Sequence, residues 1–317
     1  MAEIQNLQAR LSSGASYPPV PPNWGAEFVK TARFDTYPYI DSAKRANCVG
    51  KTVLITGGNK GIGRGIALSY ARAGASKIVV TSRAEVEAET VRGLKDEITG
   101  AAASAGHPAP EYMLLAMDVT DSASVEQAAA EVKERCGGLD ILVCNAGFLA
   151  HYDKILDGDE KDWWKSFDVN LRGGYLVAKA FMPLLLSTKG GDKTIISMSS
   201  TGAMHFHQGG SSYQISKFAL LRLMEFLMAE YADQGLLAYS VHPGGVSTDL
   251  ASRLPQETQS WLKCTPALSG DTLAFLTSER QEWLAGRYLT AMWDMEEFFA
   301  KKQEIIDKDL LKMRLTF

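Results

Sequence analysis

Tyr213 and Lys217 stand four residues apart in a stretch whose pattern predicts a helix, and together they are suited to proton transfer. Residues at this spacing lie on one face of a helix, so the phenol and the ammonium would be neighbours. Tyrosine has a pKa of about 10, and lowering it by about three units takes roughly 4 kcal/mol. An ammonium about 4 Å away supplies a similar amount at an effective dielectric of about 20. The pair is therefore expected to exchange a proton near neutral pH.

A serine and an asparagine upstream extend this group. Ser200 follows the apolar run 194–198, which predicts a buried strand, and Asn170 lies in a helical stretch at 161–187. A serine hydroxyl at the end of a strand can donate a hydrogen bond to an oxygen on which negative charge develops. The tyrosine–lysine spacing alone is common, so the pair is informative only together with such neighbours.

A glycine-rich turn lies directly after the first predicted strand. Residues 56–63 read TGGNKGIG and separate the apolar run 52–56 from a helical stretch at 62–73. Glycine permits a tight turn and a close approach of the backbone to a pyrophosphate, and the following helix directs its positive N-terminal end toward that anion. A glycine-rich turn without a ligand is the competing interpretation, but the strand–turn–helix context favours a phosphate site.

These motifs occur in a fixed order along most of the chain. TGGNKGIG at 56–63, CNAG at 144–147, Asn170, Ser200, the tyrosine–lysine pair and PG at 243–244 resemble the short-chain dehydrogenase/reductase family, from about Val49 to Leu289. One departure is Cys144, which replaces the first asparagine of the family's NNAG. The flanks DTYPYID and WLAGRYLTAMWDMEEF are similar to a filamentous-fungal branch that is often found in secondary metabolism.

The resemblance implies a role for each of four catalytic residues. Tyr213 would be the acid/base, and Lys217 would lower its pKa with the help of the oxidised nicotinamide's charge and hydrogen-bond the nicotinamide ribose. Ser200 would donate to the carbonyl oxygen, and Asn170 would hold a water molecule that links Lys217 to solvent. All four positions carry the residue that the family requires.

The resemblance also implies the residues that hold the cofactor. Besides Asn170, Tyr213 and Lys217, they are Gly57, Asn59, Lys60, Gly61, Ile62, Gly63, Ser82, Arg83, Asp118, Val119, Asn145, Ala146, Gly147, Pro243, Gly244, Val246 and Thr248.

The end of the second predicted strand indicates NADP(H) rather than NAD(H). Ser82 stands where an NAD-preferring protein would place a carboxylate, and Arg83 follows it. A guanidinium can hold the ribose 2′-phosphate with two hydrogen bonds, and Lys60 would bring a second cation. The competing interpretations are that both cations are solvated, and that Asp118 only caps the next helix.

Strands alternate with helices from Lys51 onward, which predicts parallel βαβ units. The expected fold is α/β, a doubly wound Rossmann-type fold with a seven-stranded, mainly parallel sheet and a site beyond the carboxyl ends of its strands. The predicted strands are 52–56, 77–82, 112–117, 139–144, 194–198, 237–241 and 287–289. The predicted helices are 62–73, 84–105, 122–136, 161–187, 213–234 and a charged C-terminal helix at 296–312.

The first part of the chain differs from the rest. Five of the eleven prolines fall within residues 1–47, where no period persists, and the aromatic residues there favour an arm that packs on the body without helix or strand. We expect residues 48–317 to form one NADP-binding catalytic domain with a C-terminal helical tail. A flexible leader is the competing interpretation for residues 1–47.

Composition excludes several classes of protein. The 317 residues are 46% hydrophobic and 22% charged with a net charge of −4, which is typical of a globular protein and argues against nucleic acid as a partner. No apolar run has the length of a membrane span, and MAEIQNLQARLSSG has no signal-peptide core, so we expect a cytoplasmic protein. The four cysteines show no CxxC pair, and His205 with His207 lacks a third ligand, so no metal site is expected.

The predicted function is hydride transfer between NADP(H) and a ketone or secondary alcohol. The candidate substrate walls are Phe148, His151, Tyr152, Met204, His205, Phe206, Leu250 and Trp261, which favour an apolar or aromatic small molecule. Residues 249–266 are expected to form a mobile lid, and the family's helical interfaces imply a homodimer or homotetramer. The alternatives are a dehydratase or isomerase of the same fold and a cofactor-binding sensor without turnover.

Overall fold

A seven-stranded parallel sheet forms the centre of the computed structural model, which describes residues 25–83 and 88–315. The strand order is β3-β2-β1-β4-β5-β6-β7, and every neighbouring pair is parallel. The strands are β1 (Thr52–Ile55), β2 (Lys77–Ser82), β3 (Glu111–Ala116), β4 (Ile141–Cys144), β5 (Thr194–Met198), β6 (Leu237–His242) and β7 (Tyr288–Thr290). The predicted doubly wound fold is therefore confirmed.

Helices cover both faces of this sheet. They are α1 (Ser42–Arg45), α2 (Gly61–Arg72), α3 (Ala88–Ser104), α4 (Ser122–Cys136), α5 (Glu160–Ser166), α6 (Gly173–Ser187), α7 (Ser211–Tyr231), α8 (Pro266–Leu276), α9 (Met295–Ala300) and α10 (Lys302–Asp307). β1, β5 and β6 are buried along their whole length, as expected for strands with helices on both sides. Two large clusters of buried apolar side chains, one on each face, form the core.

Two predicted helical regions differ in the structure, and one helix was not predicted. The stretch predicted at 161–187 is broken by a π-helical turn, Phe167–Arg172, which contains Asn170. The charged C-terminal helix predicted at 296–312 is two short helices, α9 and α10. The chain turns back after α10, because Leu310 and Leu311 pack on the core and Arg287 binds both the Asp309 carboxylate and the Leu310 carbonyl. The helix that was not predicted is α8, which Thr265 caps.

The segment before the first strand packs on the end of the chain. Val29, Tyr37 and Ile40 are buried, which agrees with a packed arm, but the short helix α1 and a 3₁₀ turn, Ala26–Phe28, show that this segment has helical structure after all. Residues 1–24, with most of the prolines of the predicted arm, lie outside the described residues. The division into an arm and one catalytic domain stays a prediction.

Asp294 joins this segment to the C-terminal helices. Its Oδ2 accepts from Arg33 Nε at 2.9 Å and Nη2 at 2.7 Å, and its Oδ1 accepts from the backbone N–H of Glu297 at 3.0 Å, which caps α9. The side chain is only 6% exposed. One carboxylate therefore serves as a helix cap and as the partner of a cation from the other end of the chain.

We predict that Asp294→Ala lowers the free energy of unfolding by about 2–3 kcal/mol, because it removes a cap and leaves Arg33 without its partner. Asp121→Ala is the matched control, since Asp121 caps α4 at an exposed position through Ala123 alone, and its loss is expected to be about 1 kcal/mol. Urea denaturation measures both. Equal losses for the two variants would show that the ion pair contributes nothing.

Candidate active site

Tyr213 and Lys217 project from the first two turns of α7 toward the end of β5. Lys217 Nζ donates to the carbonyl oxygen of Met198, the last residue of β5, at 2.7 Å. It also lies 5.6 Å from the centroid of the Tyr213 ring. The lysine is 4% exposed, so the carbonyl and the aromatic ring replace water around a buried amine. The helix spacing read from the sequence thus places the two residues side by side.

Burial dominates the pKa of both groups. It lowers the pKa of Lys217 to about 8, and it raises the pKa of Tyr213 to about 12 against the opposing effect of a hydrogen bond with Ser200. The expected lowering of the tyrosine pKa, which included the charge of a bound nicotinamide, therefore stays a prediction, and burial opposes it in the protein alone. Removal from water disfavours the phenolate by more than the hydrogen bond with Ser200 favours it.

Ser200 lies next to Tyr213 at the end of β5. It is the N-cap of a short 3₁₀ turn, Thr201–Ala203, and its Oγ accepts from the backbone N–H of Gly202 at 3.0 Å while it hydrogen-bonds Tyr213. The turn holds the hydroxyl at the carboxyl edge of the sheet. The structure thus brings together three of the four predicted catalytic residues.

Asn170 connects the end of β4 to α7. Its Oδ1 accepts from Phe148 N–H at 2.8 Å, and its Nδ2 donates to the Phe148 carbonyl at 2.9 Å and to Ser216 Oγ at 2.9 Å. Ser216 in turn donates to the carbonyl of Tyr213 at 2.7 Å. The side-chain amide thus holds α7 in place. A water molecule beside Asn170 would hydrogen-bond the backbone of this residue. No motif pointed to Ser216, although it stands between the two predicted residues.

The glycine-rich turn is packed too tightly for side chains. A Cβ on Gly63 would lie 2.5 Å from the Gly57 carbonyl oxygen and 2.6 Å from Asn145 Nδ2. Asn145 Nδ2 donates to the carbonyls of Thr56 at 2.9 Å and Gly57 at 3.1 Å, and Thr56 Oγ1 accepts from the backbone N–H groups of Asn145 and Ala146. The amide of Asn145, predicted to contact the nucleotide, therefore fastens this turn to β4. Thr56 contributes equally but was not among the predicted site residues.

The N-terminus of α2 fits the phosphates of a dinucleotide. The helix begins at Gly61, its N-cap residue is Lys60, and no side chain of the described residues caps its first N–H groups. Gly57 and Gly61 have φ values of 62° and 55°, which favour glycine and keep the backbone bare. Free N–H donors at the positive end of a helix are suited to an anion.

The two cations predicted to recognise a 2′-phosphate have different surroundings. Lys60 Nζ forms an ion pair of 2.5 Å with Asp249, the first residue of the predicted lid, and both side chains are largely exposed. Arg83 directly follows the buried Ser82 at the end of β2 and is exposed. In the structure Lys60 therefore connects α2 to the predicted lid, and Arg83 lies exposed at the end of β2.

Asp118 lies at the predicted adenine position after β3. Its Oδ1 accepts from Thr120 N–H at 2.9 Å and Thr120 Oγ1 at 2.8 Å. The cap of α4 is Asp121, so the competing interpretation of Asp118 as the helix cap is wrong.

The segment after β6 is folded against the predicted lid. Gly244 has φ of 91°, and a Cβ on it would lie 2.7 Å from Cys264 Sγ. The Pro243 carbonyl accepts from Ser269 Oγ at 2.6 Å, and Thr248 Oγ1 accepts from Ala251 N–H at 3.2 Å. The predicted lid itself contains two 3₁₀ helices, Ala251–Arg253 and Gln256–Trp261.

The remaining predicted cofactor residues lie in the loops, or at the start of the helix, that follow the strands at the same edge of the sheet. Asn59 and Ile62 belong to the turn and helix after β1, Val119 to the loop after β3, Ala146 and Gly147 to the loop after β4, and Val246 to the loop after β6. The parallel sheet therefore brings residues from distant parts of the sequence to one edge.

A buried histidine under the lysine was not predicted. His242 ends β6, and its Nδ1 is buried without a hydrogen-bond partner among the described residues. Burial, together with His205 and Lys217, lowers the pKa of His242 to about 3, so it is neutral. Burial also raises the pKa of the Cys144 thiol to about 12, which agrees with a filler rather than a nucleophile.

The candidate substrate walls are spread around this edge. Tyr152 lies near Tyr213 and its ring meets that of His207 edge-on with centroids 5.4 Å apart. Phe206 and Trp261 are 77% and 56% exposed. Among residues 25–83 and 88–315, no cluster of three or more His, Cys, Asp or Glu side chains could hold a metal ion, and no helix is long and apolar enough to cross a membrane.

A parallel sheet with a glycine-rich turn after its first strand, and with a serine, tyrosine and lysine at its carboxyl edge, is the arrangement of a Rossmann-type dinucleotide-binding fold. The family model for short chain dehydrogenases matches residues 51–259, and the chain belongs to that family.

Its relatives include fungal proteins of similar length. The chain is 45% identical to short chain dehydrogenase citE of Monascus ruber, over 93% of this chain and 99% of that protein. It is 38% identical to short chain dehydrogenase andI of Emericella variicolor, over 92% and 96%. A solved short chain dehydrogenase from Escherichia coli, complexed with NADPH, superposes with a TM-score of 0.68 at 27% identity, over 79% of this chain and 100% of that one. The resemblance to the family and to its fungal members is confirmed.

We predict that the free energy of unfolding of wild type, relative to that of Lys217→Met, rises by roughly 2 kcal/mol between about pH 8 and about pH 9.5. Below about pH 8 the amine is protonated in the folded and the unfolded chain. Above that pH the folded chain releases the proton, while the unfolded chain keeps it up to about pH 10.4, so the unfolded state binds more protons and stability rises.

Urea denaturation of both proteins at several pH values measures this difference. Lys179→Met, the same change at an exposed position of α6, is the control. A wild-type-minus-Lys217→Met difference that stays level or falls with pH would contradict a buried amine with a lowered pKa.

Proposed function

We propose that the protein is an NADP(H)-dependent oxidoreductase that interconverts a ketone and a secondary alcohol. The observation that carries this proposal is the contact of Ser200, Tyr213 and Lys217 at the sheet edge that also carries the open N-terminus of α2. When bound, the dihydronicotinamide supplies the hydride that reduces the carbonyl carbon. The protein's own residues must then bind the carbonyl oxygen and protonate it.

Tyr213 and Ser200 would share the work at the substrate oxygen. Both hydroxyls converge on one place, so a carbonyl oxygen there accepts from both. As the carbon receives hydride, negative charge forms on that oxygen, and the tyrosine gives it a proton. The high pKa of Tyr213 in the protein alone keeps the phenol protonated and ready to donate. The charge of an oxidised nicotinamide then favours the phenolate.

Lys217 would resupply the proton. A pKa of about 8 lets this amine lose and regain a proton near neutral pH, which an ordinary lysine does not do. Its hydrogen bond to the Met198 carbonyl fixes the amine beneath the tyrosine ring. Asn170 holds the helix that carries both residues, through Ser216.

The cofactor would bind along the carboxyl edge of β1, β2, β3, β4 and β6. The N–H groups at the start of α2 would hold the pyrophosphate, and Arg83 would hold the 2′-phosphate of the adenosine ribose. Lys60 would join Arg83 only if it exchanged Asp249 for that phosphate. The same exchange would release the segment 249–266, so we retain the proposal that this segment closes over the substrate.

The substrate we propose is a neutral apolar or aromatic ketone of fungal secondary metabolism, and the protein's location is the cytoplasm. Tyr152 next to Tyr213 and the exposed rings of Phe206 and Trp261 support aromatic contacts. The fungal relatives support the metabolic setting.

We also propose a homodimer or homotetramer. Several large apolar side chains on α5, α6 and α7 are about half exposed, which is unfavourable in water unless a partner covers them. They are Trp164, Tyr175, Ile215, Phe218 and Phe226. A second copy of the chain would bury them across a symmetric interface.

We predict that Tyr213→Phe keeps cofactor binding but lowers turnover at least a hundredfold, within the range of roughly 10²–10⁴ for loss of a general acid. NADPH oxidation with a panel of aromatic ketones is followed by absorbance, and cofactor binding by fluorescence. Tyr231→Phe, which removes a hydroxyl at the other end of α7, is the control. Turnover near the wild-type rate in Tyr213→Phe would remove the tyrosine from the mechanism.

We predict that Arg83→Asp lowers kcat/KM for NADPH by roughly ten- to a hundredfold, because one charge-assisted hydrogen-bonding partner contributes about 1.5–3 kcal/mol. The value for NADH should stay level or rise, since a carboxylate at this place accepts from ribose hydroxyls. Arg92→Asp on the exposed face of α3 gives the same change in charge elsewhere. Equal use of NADH and NADPH by wild type would contradict the assignment.

A further inference from the structure

A cavity of about 380 Å³ lies between α7, the edge strand β7 and the two ends of the described chain. Its volume falls within the roughly 300–1,000 Å³ typical of small-molecule sites. Most of the lining is aromatic or aliphatic, and the side chains that matter here are Phe28, Met204, Leu221, Tyr288, Trp293 and Met313. Met204 is also one of the candidate substrate walls, but none of the six belongs to the residues assigned to the cofactor or to proton transfer.

Contacts between the chain ends fix the walls of this cavity. The ring centroids of Phe28 and Trp293 are 4.9 Å apart, and Trp293 Nε1 donates to the Gly25 carbonyl at 2.6 Å. On the other side, the Tyr288 N–H donates to the Leu311 carbonyl at 2.8 Å, which holds the tail against β7. The walls are therefore formed before any ligand binds, which reduces the entropy that binding must cost.

One lining residue, Tyr288, carries a hydroxyl that has no hydrogen-bond partner among the described residues. The hydroxyl of Tyr288 is buried and makes no hydrogen bond to the described residues, and the residue is 6% exposed. Burial raises the pKa of this phenol, so it remains protonated and can donate. A buried hydroxyl without a partner is unfavourable, and an oxygen atom of a ligand would relieve it once the ligand displaced the atoms that cover the hydroxyl.

The charged groups at the rim are already paired within the chain. Glu225 accepts from Arg222 and from Arg314 Nη1, the latter at 3.0 Å. Lys312 Nζ lies 2.6 Å from Asp309. A charged ligand would therefore compete with existing ion pairs, whereas a neutral ligand would not.

We propose that this cavity is a second ligand site, which binds a neutral aromatic small molecule through a carbonyl or hydroxyl oxygen that accepts from Tyr288. The site is separate from the catalytic group, because Leu221 lies eight residues beyond Tyr213 on α7, about 12 Å along the helix axis. Ala203 and Leu221, both buried, pack with Tyr288 between the two places.

The site also contacts the loop that carries the catalytic serine. Met204 lines the cavity and is the C-cap residue of the turn Thr201–Ala203, whose N-cap residue is Ser200. A ligand against Met204 therefore touches the segment that positions Ser200. The binding proposal does not rest on the proposed function, because the residues that would bind this ligand have no role in the proposed hydride or proton transfer.

The test uses the full chain without cofactor and the fluorophore 7-diethylamino-4-methylcoumarin, which is neutral, sensitive to polarity and carries a lactone carbonyl. Saturable binding to wild type is expected. Tyr288→Phe should weaken it roughly two- to tenfold, as for loss of one neutral hydrogen bond. Met313→Trp should weaken it more than tenfold, because the larger ring fills the cavity.

Tyr112→Phe is the matched control, because Tyr112 also has a buried hydroxyl without a partner among the described residues but lies on β3, at the opposite edge of the sheet. It should bind like wild type. Thermal unfolding verifies that each variant is folded. If Met313→Trp does not fold, Tyr288→Phe still tests the site. No saturable binding to wild type, or binding that Tyr288→Phe leaves unchanged, would overturn the proposal.

Discussion

The burial of Lys217 is the constraint on which the rest of the site depends. An amine removed from water needs a fixed hydrogen-bond acceptor, and the carbonyl of Met198 at the end of β5 provides it. This contact ties α7 to the sheet and sets where the tyrosine one turn earlier must lie. Burial also lowers the pKa of the amine, so the same burial that costs stability gives the residue its chemical use.

Close backbone packing at the neighbouring strands completes the arrangement. Gly63 lets α2 approach the turn that follows β1, and Asn145 and Thr56 fasten that turn to β4. Asn170 performs a similar task between β4 and α7. The side chains of Asn145 and Asn170, which the resemblance assigns to the cofactor site, thus hold backbone segments together. The backbone N–H groups at the start of α2 remain open for a ligand.

Much of the fold could be predicted from local pattern. The strands 77–82 and 194–198 and the helix 122–136 were predicted with the bounds that the structure shows, since short apolar runs and the residues Asp121 and Gly137 mark their ends. The π-helical turn around Asn170 and the break between α9 and α10 depend on distant partners, Phe148 and Arg287, that no local pattern reveals. In the protein alone, burial raises the pKa of Tyr213, and this burial follows from tertiary packing that the helix spacing does not reveal. The pairing of Lys60 with Asp249 joins residues far apart in the chain for the same reason.

The central claim is that the residues at this sheet edge support direct hydride transfer to a carbonyl carbon, with protonation of its oxygen by Tyr213. The most direct measurement uses NADPH deuterated at C4 of the nicotinamide together with an aromatic ketone that the protein consumes. Mass spectrometry and proton NMR of the product locate the label. One deuterium atom at the carbinol carbon, in a single stereochemical configuration, is the result expected. Consumption of the ketone with no deuterium at that carbon would contradict the account.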